Sequence, residues 1–508
     1  GRTEFQGKGI GAIVIKPGDP KTLYVGSTTA LRGMSSVCCS GVTRPVPGIA
    51  KWGLYKSTDA GQSWSFIHNG SANVADCTGT LAEFQNTLTC SPRGVRHVLL
   101  DPSNSNIVYA SSYARGIWRS NDAGATWTQI KPSINPAIIQ SRAAITVNTL
   151  PNGKTRMYVH EGNSNTQGQT ANANSSRLFR SDDVATGAPV FNDMSSNDPA
   201  VPGFAFRGIC DPQCWYDIFV YSPPGHPEMV YVGGDYFYGE VTANKRGVVL
   251  SRDAGVSGTD MTFDGTDSLH PNGIHPDQHS IVTIPGKPFQ FIETNDGGVM
   301  RSNGRFVDRS SWCDDPARGL TEPRLSRCKQ MLSAIPSRID SMNEGLYTLQ
   351  FQSLSVSPHN VKILQGGTQD NGTWSNNNGC SRDVFNQIVY GDGGNAVYDA
   401  TEPTWRANEF VLGFGDSNFR NGDPERWVIT TAPLVNSGEA FAFYWPQIGD
   451  PNPQPGTHPI YNGGQHVWRS WAFGAGTAGA VPQDTTPNIA FYEANCPEFV
   501  VFGGTVGC

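Results

Sequence analysis

The sequence predicts an all-β fold made of repeated four-stranded antiparallel units. Three observations predict it: a composition rich in turn formers, two matching hairpin motifs, and a matching pair of strands upstream of each motif. Of 508 residues, 58 are Gly and 35 are Pro while 16% are charged, a balance that suits short strands joined by tight turns and suits neither a helical nor a disordered chain. The motifs are Ser57-Thr58-Asp59-Ala60-Gly61-Gln62-Ser63-Trp64 and Ser120-Asn121-Asp122-Ala123-Gly124-Ala125-Thr126-Trp127. In each, Ser and Asp can bond turn amides, Gly takes the left-handed position, and the Trp ring packs over the turn. Trp64 and Trp127 are therefore expected to be largely buried on equivalent outer hairpins. Upstream, residues 11–17 lead through Gly18-Asp19-Pro20 to residues 23–26, and residues 97–102 lead through 103–106 to 108–111. Strand, turn, strand, loop, strand, hairpin, strand is one blade of a β-propeller.

The units follow one another along the whole chain. Residues 1–67 form the first, interrupted by a Gly/Pro/Cys-rich insertion at 27–50, and a second insertion at 68–93 precedes the compact second unit at 94–130. The third, 141–194, keeps Ser181 and Asp183 in its hairpin without the Trp. The fourth runs from Trp215 to about Gly265 and carries Ser251, Asp253 and Gly255, again without the Trp. The fifth spans 279–302 and is followed by an insertion at 306–343. A sixth opens on the alternating segment 349–358 and ends on a decayed hairpin at 375–379, a weak seventh covers 391–431, and the eighth is legible from 441 to 470 with an outer strand supplied by 490–503. Eight units with no linker predict a single closed propeller across 1–508, because closure covers each blade and leaves no open sheet edge. Seven blades, or ten completed by residues outside this chain, are the other counts that the repeats allow.

A net charge of −7 with no Lys/Arg run argues against nucleic-acid binding, and the absence of an 18-residue apolar segment predicts no membrane span. The cysteine pairs Cys77 with Cys90, Cys210 with Cys214, Cys313 with Cys328 and Cys496 with Cys508 sit at short spacings within loops, as the disulfide staples of an exported protein do. Buried free thiols are the alternative. Cys38, Cys39 and Cys380 are left over, so one thiol is free or pairs between chains, and Cys380 is expected to reach Cys38 or Cys39. A chain that opens on Gly1 is expected to be a processed form.

The densest polar segment is His275-Pro276-Asp277-Gln278-His279, which leads into the innermost strand of the fifth unit. At i, i+2 and i+4 of an extended segment, His275, Asp277 and His279 face the same way, as a metal site or proton shuttle requires; a hydrogen-bonded His–Asp–His tie is the structural alternative. Asp296, Asp370 and Asp392 each stand beside Gly or Asn-Gly in successive units, and at equivalent blade positions they would ring the channel mouth near the two histidines. Carboxylates alone favour Ca²⁺, whereas two imidazoles favour a transition ion. No cofactor is required by the sequence.

These hairpins, with Asn295-Asp296-Gly297-Gly298, the segment 366–373 and Gly391-Asp392-Gly393-Gly394, resemble the Asp-box (bacterial neuraminidase repeat) propellers, a superfamily that includes sialidases, xyloglucanases and the sortilin luminal domain. The nearest likeness is to secreted bacterial sortilin-like repeat proteins, and it covers almost the whole chain. The resemblance implies that Ser57, Asp59, Gly61, Ser120, Asp122, Gly124, Ser251, Asp253 and Gly255 are structural. Asp235, in Gly233-Gly234-Asp235-Tyr236-Phe237-Tyr238, looks similar to a xyloglucanase catalytic region, but the family's first-blade acid has no counterpart in Gly26-Ser27-Thr28-Thr29-Ala30. A sialidase is not expected either, since the N-terminal arginine motif is missing.

The expectation is therefore a non-catalytic extracellular or cell-surface propeller that binds a glycan or a surface or secreted protein, or builds a homo- or hetero-assembly, through loops on a rigid ring. The alternative is a glycoside hydrolase drawing its acids from Asp235, Asp277, Asp296, Asp370 and Asp392. An open groove with a carboxylate pair at glycosidase separation would favour the enzyme.

Overall fold

The computed structural model describes residues 3–29, 50–78, 89–162, 176–211, 213–237, 239–262, 274–346, 349–376, 384–424, 426–475 and 500–501. The insertion at 27–50 lies mostly outside them, as do Cys38, Cys39, Cys380, Cys496 and Cys508. The chain divides into two compact units, 1–344 and 345–508.

The first unit holds five four-stranded antiparallel sheets. The first is β1 (Lys8–Lys16), β2 (Asp19–Thr29), β3 (Leu54–Ser57) and β4 (Ser65–His68); the second is β5 (Val95–Leu100), β6 (Val108–Ser112), β7 (Gly116–Ser120) and β8 (Thr128–Lys131). The third is β9 (Arg142–Thr149), β10 (Thr155–Gly162), β11 (Arg177–Ser181) and β12 (Asn192–Asp193); the fourth is β13 (Phe219–Tyr221), β14 (Val230–Gly233), β15 (Val248–Ser251) and β16 (Thr259–Asp260). In the fifth, β17 (Gln278–Ile284), β18 (Lys287–Asn295) and β19 (Gly298–Ser302) precede an insertion carrying the small pair β20 (Phe306–Val307) and β21 (Ile335–Pro336) and the helix α1 (Arg324–Met331), and β22 (Ile339–Ser341) then returns as the fourth strand. The segment at 306–343 thus lies inside the fifth unit rather than after it.

The second unit repeats the pattern three times. Its sheets are β23 (Ser355–Val356) to β26 (Asn386–Val389) through β24 (Leu364–Thr368) and β25 (Gly372–Ser375); β27 (Ala396–Tyr398), β28 (Arg406–Glu409), β29 (Gly415–Asn418) and β30 (Trp427–Ile429); and β31 (Gln447–Gly449), β32 (Ile460–Gly463), β33 (Val467–Ser470) and β34 (Val500–Val501). The short helix α2 (Ala432–Asn436) joins the last two.

Apolar side chains pack between consecutive sheets. Leu54 and Tyr24 of the first meet Val98, Val108 and Trp118 of the second, and Ile117 and Tyr109 of the second meet Ile145, Met157 and Val159 of the third. This burial is the main stabilising term. In the first four sheets the same position of the second strand carries a fully buried tyrosine, and Tyr24, Tyr158 and Tyr231 each donate to a backbone carbonyl of the following sheet's segment, those of Ala123, Pro227 and Pro288 at 3.1, 2.6 and 2.8 Å. A second tie repeats beside it. The basic residue just before the hairpin serine, Lys56, Arg119 or Arg180, donates to the carbonyl of the corresponding hairpin residue one sheet on, Ala123, Val184 or Ala254, at 2.7 to 2.8 Å.

Three hairpins share one geometry. The Oγ of Ser57, Ser120 and Ser251 accepts the N–H of Gly61, Gly124 and Gly255 at 2.7 to 2.9 Å and donates to Asp59, Asp122 and Asp253. Each Asp then accepts both the backbone N–H and the hydroxyl of Ser63, Thr126 or Ser257. The two tryptophans donate alike, Trp64 to Gly61 and Trp127 to Gly124, yet their burial differs. Trp127 is 5% exposed and stacks on His68, with ring centroids 4.3 Å apart, whereas Trp64 is half-buried with its edge on Phe5. The expectation of burial holds for one of the pair, because the second hairpin has a preceding sheet to lie on.

Cys77–Cys90, Cys210–Cys214 and Cys313–Cys328 are disulfides. No helix among the described residues is long and apolar enough to cross a membrane.

Candidate functional site

In an antiparallel pair, the start of one strand and the end of the next lie at the same edge of the sheet. Phe219 pairs with Gly233, so Asp217, just before β13, and Asp235, just after β14, emerge side by side. The fifth sheet delivers two more acids in the same manner: Gln278 pairs with Asn295, which places Asp277 before β17 next to Asp296 after β18, and the Asp296 N–H donates to the Asp277 carbonyl at 3.2 Å. The Gln278 N–H in turn bonds the Gly234 carbonyl at 3.1 Å and joins the two edges.

The result is a carboxylate cluster. Oxygens of Asp217, Asp235 and Asp277 lie within 4.8 Å of one another, and all three residues are buried. Gln213 and Tyr216 brace it: Gln213 Nε2 donates to Asp277 Oδ1 at 2.6 Å, and Tyr216 Oη reaches the same oxygen at 3.2 Å and Gln213 Oε1 at 2.7 Å. The Cys210–Cys214 disulfide closes the loop that carries Gln213 and stands directly before Trp215 and Tyr216. Burial, then the charge of Asp277, pushes the Asp217 carboxyl well above its ordinary range, and the same two causes raise Asp235. Burial followed by the neighbouring acids raises the Tyr216 phenol as well.

Around it stand the two histidines. His279 Nδ1 lies 3.6 Å from Asp217 Oδ1 while its Nε2 is hydrogen-bonded to Asp296, and His275 Nδ1 is 3.5 Å from Asp277 Oδ2. The aromatic rings of Trp215 and Tyr216 are 4.4 Å apart, both half-buried, with the Tyr216 ring 6.1 Å from that of His279. A half-exposed aromatic pair thus adjoins an imidazole, a partly exposed carboxylate and a sealed bed of acids.

No family model matches the chain, and no curated protein matches it in sequence. Solved structures do match. A GH74 enzyme from Niastella koreensis superposes with a TM-score of 0.52 at 14% identity, over 93% of this chain and 65% of that one. A GH74 xyloglucanase from Xanthomonas campestris gives 0.47 at 15% identity over 91% and 57%, and YCF48 bound to a D1 peptide gives 0.32 at 11% identity over 79% and 90%. The fold is propeller-type. This chain spans just under two thirds of the length of the Niastella enzyme.

Of the residues singled out from sequence, the first unit gathers His275, Asp277, His279, Asp235 and Asp296. Alternation was not what brought His275, Asp277 and His279 together: β17 begins only at Gln278, and the pairing slips between Gln278 and Ser280, so the approach is a bend followed by a bulge. One metal-capable set is three carboxylates, Asp217, Asp235 and Asp277, with Asp277 its one member from the His–Asp–His segment. Asp370 and Asp392 belong to the second unit, where the Asp370 N–H donates to Asp392 Oδ1 at 3.2 Å and Tyr444 Oη reaches the same oxygen at 3.3 Å. Sequence reading passed over Asp217, Gln213, Trp215 and Tyr216. The signal was present in an acid just upstream of the first strand in both the fourth and the fifth sheet, Asp217 two residues before β13 and Asp277 one residue before β17.

Proposed function

We propose that this chain is an extracellular or cell-surface propeller that binds glycan at the Trp215–Tyr216 edge without cleaving it, its sheets closing into one ring. The observation that carries the reading is the aromatic pair set beside His279 and Asp296. Rings of this kind stack on the apolar face of a sugar, while the carboxylate and imidazole take its hydroxyls. The three central acids support binding over catalysis. They are packed against one another, one oxygen of each within 4.8 Å of the others. Burial also keeps them from a sugar ring. Three disulfides fit an oxidising compartment.

The test is calorimetric titration with xyloglucan oligosaccharides and a panel of other neutral glycans, run beside an assay for released reducing sugar. Binding that weakens at least tenfold in Trp215→Ala, with no turnover, is the expected result. A glycoside hydrolase is the second reading, favoured by the fold shared with a GH74 enzyme and by acids whose protons are held by burial. Turnover abolished by Asp296→Asn would establish it instead.

A further inference from the structure

Asp217, Asp235 and Asp277 reach one point from three separate segments, and no Lys or Arg forms an ion pair with any of them among the described residues. The Arg142 guanidinium donates to the carbonyls of Trp215 and Ile218, at 3.0 and 3.2 Å. Other titratable groups facing the cluster are His275, His279, Asp296, Tyr216 and Asp211, whose charge acts on Asp235. A second observation is independent of the clustering: Asp235 Oδ1, in a residue 5% exposed, is sealed from solvent and accepts no hydrogen bond, while the equally sealed Asp217 Oδ1 faces His279 Nδ1 at 3.6 Å. A buried carboxylate oxygen without a donor costs stability unless something positive meets it.

We infer that Asp217, Asp235 and Asp277 form a binding site for one divalent cation of the oxygen-preferring class, Ca²⁺ foremost. Size supports this. Two oxygens on opposite sides of a Ca²⁺ at about 2.4 Å stand about 4.8 Å apart, so the whole set fits a single first shell with little movement. Ligand chemistry agrees, because the converging atoms are carboxylate oxygens. The imidazoles of His275 and His279 lie outside the set and face Asp277, Asp217 and Asp296. Gln213 and Tyr216 hold Asp277 Oδ1 in place and His275 Nδ1 lies 3.5 Å from its Oδ2, the kind of orienting contact that metal-bound carboxylates use. The cation also accounts for three acids drawn from separate segments of the chain, since it supplies the positive charge on which they converge.

The experiment uses the full chain, stripped with chelator and titrated with CaCl₂, MgCl₂, MnCl₂ and ZnCl₂ separately, with calorimetry and thermal unfolding as readouts. Ca²⁺ should bind once per chain and raise the melting temperature by several degrees. Tb³⁺ should give luminescence sensitised by Trp215 and Tyr216 that Ca²⁺ displaces. Asp235→Asn, near-isosteric, should lower affinity at least tenfold, and Asp217→Asn should do the same should the first variant misfold. His279→Ala should leave Ca²⁺ binding within about twofold. Failure of all four ions to bind at millimolar concentration overturns the site, as does Zn²⁺ binding that disappears in His279→Ala. Neither readout involves sugar, so the cation site and the glycan reading fail separately.

Discussion

The outer turns of residues 1–344 and those of residues 345–508 reach one backbone shape with different side chains. In the first unit a serine accepts the glycine N–H and an aspartate clamps the residue six beyond the serine. In the second unit, Asn418 Oδ1 accepts the N–H groups of Arg420 and Gly422, both at 2.9 Å, and Ser470 Oγ accepts those of Ala472 and Gly474 at 3.3 and 2.8 Å. The left-handed pair recurs throughout: Ala60 with Gly61, Ala123 with Gly124 and Ala254 with Gly255 in the first unit, Asn421 with Gly422 and Phe473 with Gly474 in the second. The acceptor and the glycine therefore make the turn, and the aspartate is an added clamp. Where the clamp is missing at Asn418, the residue six beyond is Pro424, which has no N–H to give.

The largest expected effect tests what a hairpin gains from a preceding sheet. Trp127→Ala should cost about 3 to 5 kcal/mol in denaturant unfolding, as other buried aromatic truncations do. Trp64→Ala should cost about 1 to 2 kcal/mol, since its ring is half exposed. Equal losses would mean that contact with the preceding sheet adds nothing.

Next come the shared glycines. Gly124 and Gly474 both have positive φ, 96° and 82°, and an added Cβ would meet Ile67 Cδ1 and Thr430 Cβ, each at 2.7 Å. Gly124→Ala and Gly474→Ala should each cost about 2 kcal/mol. A neutral Gly474→Ala would show that the second unit's turn is not the same device.

The clamp aspartates of the first unit and Glu409 of the second respond to pH in opposite directions. Hydrogen bonds from Ser63 bring Asp59 down to about 2; burial acts upward on Asp122, but bonds from Thr126 and Ser120 outweigh it, again to about 2. Depressed carboxyls contribute stability that is present above about pH 4 and lost as pH falls through about 2. Burial raises Glu409 in the second unit to about 7, against bonds from Asn395 and Trp445. Its contribution is present below about pH 4.5 and lost as pH rises through about 7. Unfolding midpoints measured from pH 4 to 8 should decline less steeply in Glu409→Gln, and an unchanged slope would remove Glu409 as the cause. Asp260, in the first unit, is raised by burial to about 7 and declines in the same sense.

The smallest expected effect is a null. Arg420→Asp restores an aspartate two residues beyond Asn418, but with Pro424 in place it should shift stability by no more than about 0.5 kcal/mol. A clear gain would show that the clamp works through some other donor.

Strand order, turn chemistry and the short-range disulfides were legible in the sequence because each depends on residues a few positions apart. Ser57, Asp59, Gly61 and Ser63 meet across one turn, and Cys210 meets Cys214 across four residues. The aromatic and tyrosine positions were readable as a repeat for the same reason. The site was legible in part. Asp235, Asp277, Asp296 and the two histidines were marked by neighbouring glycines and by their own spacing, while Asp217 carried no local mark and belongs to the site only because β13 and β14 are antiparallel and β17 lies against them. Tertiary packing likewise separated Trp64 from Trp127, identical in motif and unlike in burial. It sealed three carboxylates from three segments within 4.8 Å. Local sequence specifies the shape of a turn, because the bonds that make it close within the turn. Which acids share one dielectric pocket depends on how whole sheets stack, and that follows from apolar burial along the entire chain.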